Sequence, residues 1–487
     1  MHGSRILAQA LGLLLLAAAA TAERAEARRV HLIQQATNLT VGSIYEPNIR
    51  QGRGEYITFT SDGDVLGFGT AHLGRREVYL WSRDDRASVR VTESGLFESY
   101  DASRVTDDFR TQKPSIIAFI STADLDPSVG NADANPELFI WRLDNQQFRQ
   151  LTDTVAPVIN ELPRPSDTAD CIVFQSTGDL DDNDGSFPGS APSGFHNEDG
   201  SLEVFYVDFH DNELTQFHIT QISDGPVGTR SENGSPGGYF FPNQCANIAY
   251  QSDHDQFGDG ATGVNVYDYR KGSAVRDLVS EPGNLDGLNI DPRMSGTGVS
   301  SGGPSTVFAS NANLWNNGSS GFQIFKFAIL TGALRQLTGD PNGGHRRPSV
   351  SDGSTVVVFE STGEPADPAL GSKRGPDGPH NADGNSEIVR FVGKRVVRPI
   401  TRTTGCTNDL PSIMGNGRGI AFRSDCDLVA GHNSAGVQQV FAYYELHRGE
   451  ELYQIDECAI TGGCCSTANG CYEEVVARAY SVPRPGQ

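Results

Sequence analysis

The sequence predicts an all-β chain: a seven-bladed β-propeller with four-stranded antiparallel blades, an N-terminal strand closing the ring, and a small disulfide-rich C-terminal tail. Three observations predict it. An aromatic residue, any residue and then Ser recur seven times, ending at Ser61, Ser121, Ser176, Ser252, Ser310, Ser361 and Ser424. Turn residues are abundant, with 55 Gly and 25 Pro in 487 residues, and there is no long run of helix formers. Finally, VHLIQQATN at 30–38 has the form of a unit's last strand without the rest of its unit.

Taken in order, residues 1–22 read as a secretory signal. A short basic region ends at Arg5, an apolar run covers Ile6 to Ala20, and the small-residue site ATA precedes Glu23. That run is short and Ala-rich for a membrane span, and no other stretch approaches ~20 apolar residues. The expected chain is secreted or periplasmic, monomeric and not membrane-inserted. Glu23 stands where a lipoprotein would need Cys. A net charge of −23 argues against nucleic acid or an anionic membrane as partner.

From about residue 30 to 455 the chain is a repeat. Each aromatic-x-Ser strand is followed by a second β-rich run, such as EVYLWSRDD, LEVFYVDF or EIVRFVG, and usually by a third, such as VRVT, FRQLT or VRPIT. Several are preceded by a Pro-Ser or Asp-Gly phrase, as in RRPSVSDGSTVVVF. Four short strands per unit make a propeller blade, which buries both faces only when stacked against neighbours. The units exceed the usual ~40–50 residues because the connection between the second and third strands is long. VHLIQQ is expected to complete the last blade, with EELYQI near residue 452 competing for that place.

The composite phrase P-S-[VI]-x-x-[DG]-G, [IV]-[AVT]-F-x-S-x-x-D-L, N-x-D-G-x-x-E-[IV]-[FY] and Q-L-T resembles the repeats of the TolB-like (WD40-like) β-propeller superfamily. The resemblance implies the fold. It leaves activity open, because that family includes protein-binding modules, peptidase accessory domains and a few lyases.

The long connection carries a more exact pattern in three blades. It reads Asn131, Asp133, Asn135, Glu137; Asn197, Asp199, Ser201, Glu203; and Asn381, Asp383, Asn385, Glu387. Oxygen ligands at alternate positions ending in Glu suit calcium. The same residues are strong turn formers whose side chains bond their own backbone, which is the commoner use. The neighbouring stretch DLDDNDG at 179–185 imitates an EF-hand but lacks its Gly and its final Glu. His72, His196, His380 and His432 fall in this same loop class, with His254 nearby. A catalytic metal would need three imidazoles to converge, and His72, His380 and His432 lie on blades adjacent around the ring. Some TolB-like propellers that cleave acidic polysaccharides use loop histidines and a metal, so the resemblance keeps that reading in view. No G-x-S-x-G, H-E-x-x-H or G-x-x-x-x-G-K occurs. The seven serines recur too often to be nucleophiles and are expected to bond backbone.

Eight cysteines in an exported chain point to disulfides. Cys171 and Cys245 precede the same strand in adjacent blades, and Cys406 and Cys426 flank one strand pair; each pair is expected to bond. Cys458, Cys464, Cys465 and Cys471 lie in the tail, residues 456–487, and are expected to pair among themselves. The sequence therefore predicts a non-catalytic module that binds a protein or carbohydrate through its long loops, with calcium the one candidate cofactor. The rivals are a metal-assisted polysaccharide lyase or hydrolase on the same loops, and a structural surface protein whose loops calcium stabilises.

Overall fold

The computed structural model describes residues 30–446 except 51, 53, 68–73, 108–114, 183–194, 212, 238–244, 259, 272–274, 281–286, 297–302, 316–320, 341–342, 365–380, 382, 394, 432 and 434–435. By contact density, Ile33–Tyr443 is one unit, and Met1–Leu32 with Tyr444–Gln487 is the other. The second lies almost wholly outside the described residues, as do the four tail cysteines and EELYQI.

Every one of the seven sheets has four strands, all antiparallel where the register is defined. Blade 1 comprises Ile44–Ile49, Tyr56–Ser61, Glu77–Ser82 and Ala87–Arg90, from the axis outwards. Blades 2 to 6 repeat this order. Blade 7 takes Asn408–Ile413, Gly419–Ser424 and Gln439–Leu446, and its fourth strand is Val30–Gln35. The ring is thus closed by the N-terminal strand. Ala36 N donates to Val440 O at 2.8 Å, and the Thr37 hydroxyl donates to Gln439 Oε1 at 2.8 Å. No helix among the described residues is long and apolar enough to cross a membrane.

The core sits between blades. In the second strand of blade 2, Ile116, Ala118 and Ile120 pack with blade 3, while Ile117 and Phe119 pack with blade 1. Strict alternation with both faces buried is what ring stacking demands. In six blades the aromatic of the aromatic-x-Ser phrase stacks on one in the third strand, as Phe59 on Tyr79 at 5.5 Å, Phe174 on Phe205 at 5.6 Å and Phe422 on Phe441 at 5.9 Å. Blade 6 places Val389 opposite Phe359, and the His345 ring packs edge-on against that Phe at 5.7 Å instead.

The first strands line the axis and are all irregular in the same way. One non-glycine residue in each, or directly after it in blade 2 (Asp101), has a left-handed backbone, from φ 38° at Glu46 to φ 58° at Asn233, and the pairing slips beside it in the other six blades. These bulges bend the inner strand around the channel. Side chains of neighbouring blades hold them. Asn233 N donates to Gln175 Oε1 at 2.9 Å, Asp291 N to Gln251 Oε1 at 2.8 Å, and Leu410 N to Glu360 Oε1 at 2.6 Å. The middle residue of the aromatic-x-Ser phrase is therefore an inter-blade tie in these blades.

Candidate functional site

In an antiparallel blade, the connections from second to third strand and from fourth strand to the next blade leave from one end of the propeller. The connections that carry the calcium-like pattern run from second to third strand and so belong to this loop end.

Its framework is one hydrogen-bonded hub per blade. The seven serines end the second strands, and each Oγ accepts the backbone N–H two residues on: Gly63, Ala123, Gly178, His254, Ala312, Gly363 and Cys426. Opposite each Ser in register is the first residue of the third strand, for example Ser61 opposite Glu77 and Ser176 opposite Glu203. That residue is Glu77, Glu137, Glu203, Asn265, Gln323, Glu387 or Gln439, and it is at most 2% exposed in every blade. Its side-chain oxygens collect hydroxyl and amide donors from the connection to the next blade. Glu137 takes Thr152, the Thr154 hydroxyl and Thr154 N; Glu203 takes Ser223 and Gly225 N; Gln439 takes Thr37 and Leu39 N. Burial pushes Glu77, Glu137 and Glu203 up, against the pull of these hydrogen bonds. An amide does the same work in blades 4, 5 and 7, so the final Glu of the calcium-like pattern is first of all a structural acceptor.

The rest of that pattern is occupied similarly. Asn131, Asn197 and Asn381 each donate Nδ2 to the carbonyl four residues on. Asp133 and Asp199 each accept the N–H two residues on, and Asp383 accepts Gly405 N at 3.3 Å. Asn135 and Asn385 donate to their own Glu137 and Glu387, and the Ser201 hydroxyl donates to Glu203 at 2.9 Å. Among the described residues, the one group of three His, Cys, Asp or Glu side chains with ligand atoms inside 4.8 Å is Cys406, Asp425 and Cys426. Both its sulfurs are taken by the Cys406–Cys426 disulfide, Cα–Cα 5.4 Å. Cys171, opening its strand, bonds Cys245 across blades 3 and 4, Cα–Cα 6.2 Å.

His72, His380 and His432 lie outside the described residues. His196 is largely exposed, with Nδ1 3.6 Å from Asp179 Oδ1. The sequence reading passed over His345, which is wholly buried, bonded to Ser361 Oγ through Nδ1 at 3.0 Å, and without a partner at Nε2. It stands where blades 3, 5 and 7 have Asn160, Asn289 and Asn408. Burial pushes it down to about 4.

The axis holds a cavity of about 180 Å³ bounded by all seven first strands. Arg164 reaches across to Asn233 O at 3.0 Å and Gly234 O at 3.1 Å, while Asp101 is pushed up to about 7 by burial and then by Glu46. At the end opposite the loops, the carboxylates of Asp167 and Asp352, from blades 3 and 6, crowd together beside Gly296, and Arg104 pairs with Asp167. Burial and the neighbouring carboxylate raise Asp352. Position in the repeat gave no signal for either group.

Apolar side chains mark the loop end most clearly. Twelve large hydrophobics are exposed among the described residues, and all but Val89 and Leu330 are in its connections.

Searched by sequence, the chain matches no protein-family model and no curated protein. By structure it is similar to the oligogalacturonate lyase from Vibrio parahaemolyticus, with TM-score 0.50 and 11% identity over 85% of this chain and 97% of that one. An oligogalacturonate lyase in complex with manganese gives TM-score 0.48 at 12% identity, over 86% of this chain and 96% of that one. TolB from Acinetobacter baumannii gives 0.36 at 12%, over 86% and 80%. The shared feature is the fold. This chain is a seven-bladed β-propeller, with TolB and lyase propellers among its structural neighbours.

Proposed function

We propose that this propeller is an exported, non-catalytic binding module that takes a protein or carbohydrate ligand on its loop end. The observation that carries the reading is the segregation of exposed apolar side chains. Large exposed apolar groups gathered on one face of a soluble fold mark interaction sites, and ten of the twelve described here are on that end. Loops on a rigid scaffold are also where recognition is usually built. Two disulfides, Cys171–Cys245 and Cys406–Cys426, fit an oxidising compartment.

The test is an unbiased binding screen against exported proteins and oligosaccharides, followed by hydrogen-exchange mapping of any hit. Protection confined to the loop end supports the reading; protection confined to the other end removes it. The rival lyase or hydrolase, using His72, His380 and His432, predicts metal-dependent release of new ends from an acidic polysaccharide. Such turnover, lost in His380→Ala, would replace the module reading.

A further inference from the structure

The partner's chemistry can be read from four consecutive inter-blade connections. Each begins at the Thr or Ser fixed on a hub: Thr37, Thr92, Thr152 and Ser223. Three or four residues later each presents an aliphatic tip to solvent: Val41 at 53%, Leu96 at 79%, Val155 at 71% and Val227 at 74%. The tips occupy one structural position in the connections leading into blades 1, 2, 3 and 4, so they form an arc around that side of the loop end. The connections into blades 6 and 7 present no large exposed hydrophobic among the described residues.

Charge surrounds the arc. The described residues of the loop-end connections include twenty-one Asp and Glu against four Arg and no Lys. Glu93, Glu98, Asp153 and Asp224 are in the same connections as the tips. A second copy of this face would meet like charge, and so would an anionic lipid surface. The chain's own segment beyond Leu446 carries six acids and three Arg, so it is also repelled. The four tips are aliphatic and more exposed, at 53–79%, than the aromatics Phe97, Phe257 and Trp315 of the same end, each at 42%; such tips suit the apolar side chains of a polypeptide better than the hydroxyl-lined faces of a sugar.

Resting on the binding-module reading, we infer that this arc docks a polypeptide segment in which apolar residues are flanked by Lys and Arg. The acids supply attraction and encounter rate, and the tips supply the buried contact.

Three matched synthetic peptides test this by fluorescence anisotropy: Leu with Lys, Leu with Glu, and Ser with Lys. The Leu–Lys peptide should bind, weaken as salt rises, and exceed both others by at least ~tenfold, or ~1.4 kcal/mol. The triple variant Leu96→Ser, Val155→Ser, Val227→Ser should lose that margin with an unchanged melting temperature, because the replaced side chains are exposed. Leu330→Ser at the opposite end should bind normally. Equal binding of the Ser–Lys peptide, or an unaffected triple variant, overturns the inference. If no peptide binds but an oligosaccharide protects the loop end from hydrogen exchange, this inference falls and the module reading stands. Protection confined to the opposite end removes both.

Discussion

His345 shows how a single residue answers to its blade. Val389 leaves Phe359 without the aromatic partner that other blades supply, and the imidazole takes that space while keeping the bond to Ser361. Burial lowers its pKa to about 4, so the folded protein holds it neutral. Its contribution is present above the unfolded pKa of ~6.5 and is lost as pH falls towards 4, on the order of 2 kcal/mol at pH 5. Asp101 acts in the opposite sense. Raised to about 7, its contribution is present below ~4 and is lost as pH rises through 7. The two oppose one another between pH 4 and 7, so variants must separate them. His345→Asn should shift the pH of maximal melting temperature towards acid, and Asp101→Asn towards alkali. The hub carboxylates give a sharper test. Glu203→Gln should stay within about 1 kcal/mol of wild type in urea unfolding, since blades 5 and 7 use Gln there. Glu203→Leu strands the Gly225 N–H and two hydroxyls and should cost about 3 kcal/mol or more.

At the scale of the turn and the strand, the NxDx[NS]xE connections are backbone devices whose side chains are already bonded. We expect millimolar calcium and chelator to give the same melting temperature. A calcium-dependent rise lost in Asp199→Ala and Asp383→Ala would assign these loops a cation after all. The position after the Asp has a left-handed backbone, φ 71° at Gly200 and φ 72° at Gly384, but blade 2 places Ala134 there at φ 59°. An L side chain is disfavoured in that region, so Ala134→Gly should stabilise by up to about 1 kcal/mol. Of the two disulfides, Cys171–Cys245 closes 74 residues and Cys406–Cys426 closes 20. Removing the first should cost about 4 kcal/mol and the second about 3 on a chain-entropy model. Paired Cys→Ser variants compared by urea midpoint check the order. These elements were legible because each unit repeats its residue types in register: seven serines, a recurrent Glu or amide, and a Thr or Ser. What escaped notice has no fixed residue type to announce it. His345 and the Asp167–Asp352 pair depend on neighbours far away in sequence, and the aliphatic tips, though they recur in four connections, vary between Val and Leu and between three and four residues from the hub.

For the whole molecule, the count of seven followed from seven in-register repeats and the closing strand from one orphaned run, because a ring must supply its missing strand from somewhere. The site was less legible, since a face is defined only once the ring puts separated connections side by side. The closure also sets a clock. Thr37 meets Gln439 across 402 positions, so VHLIQQ emerges first and has no partner until almost all of blade 7 exists. At ~5–20 residues per second, synthesis alone leaves that strand waiting on the order of 20–80 s. Meanwhile it is an unpaired edge, able to pair with another chain as well as with its own. Seam formation is then the late, slow step of folding, because its contacts are the most distant in the chain. Ile33→Pro, which removes a backbone donor from the waiting strand, should leave the inter-blade cores able to form while the seam inside blade 7, between Val30–Gln35 and Gln439–Leu446, exchanges its amides early. Refolding yield should fall as chain concentration rises.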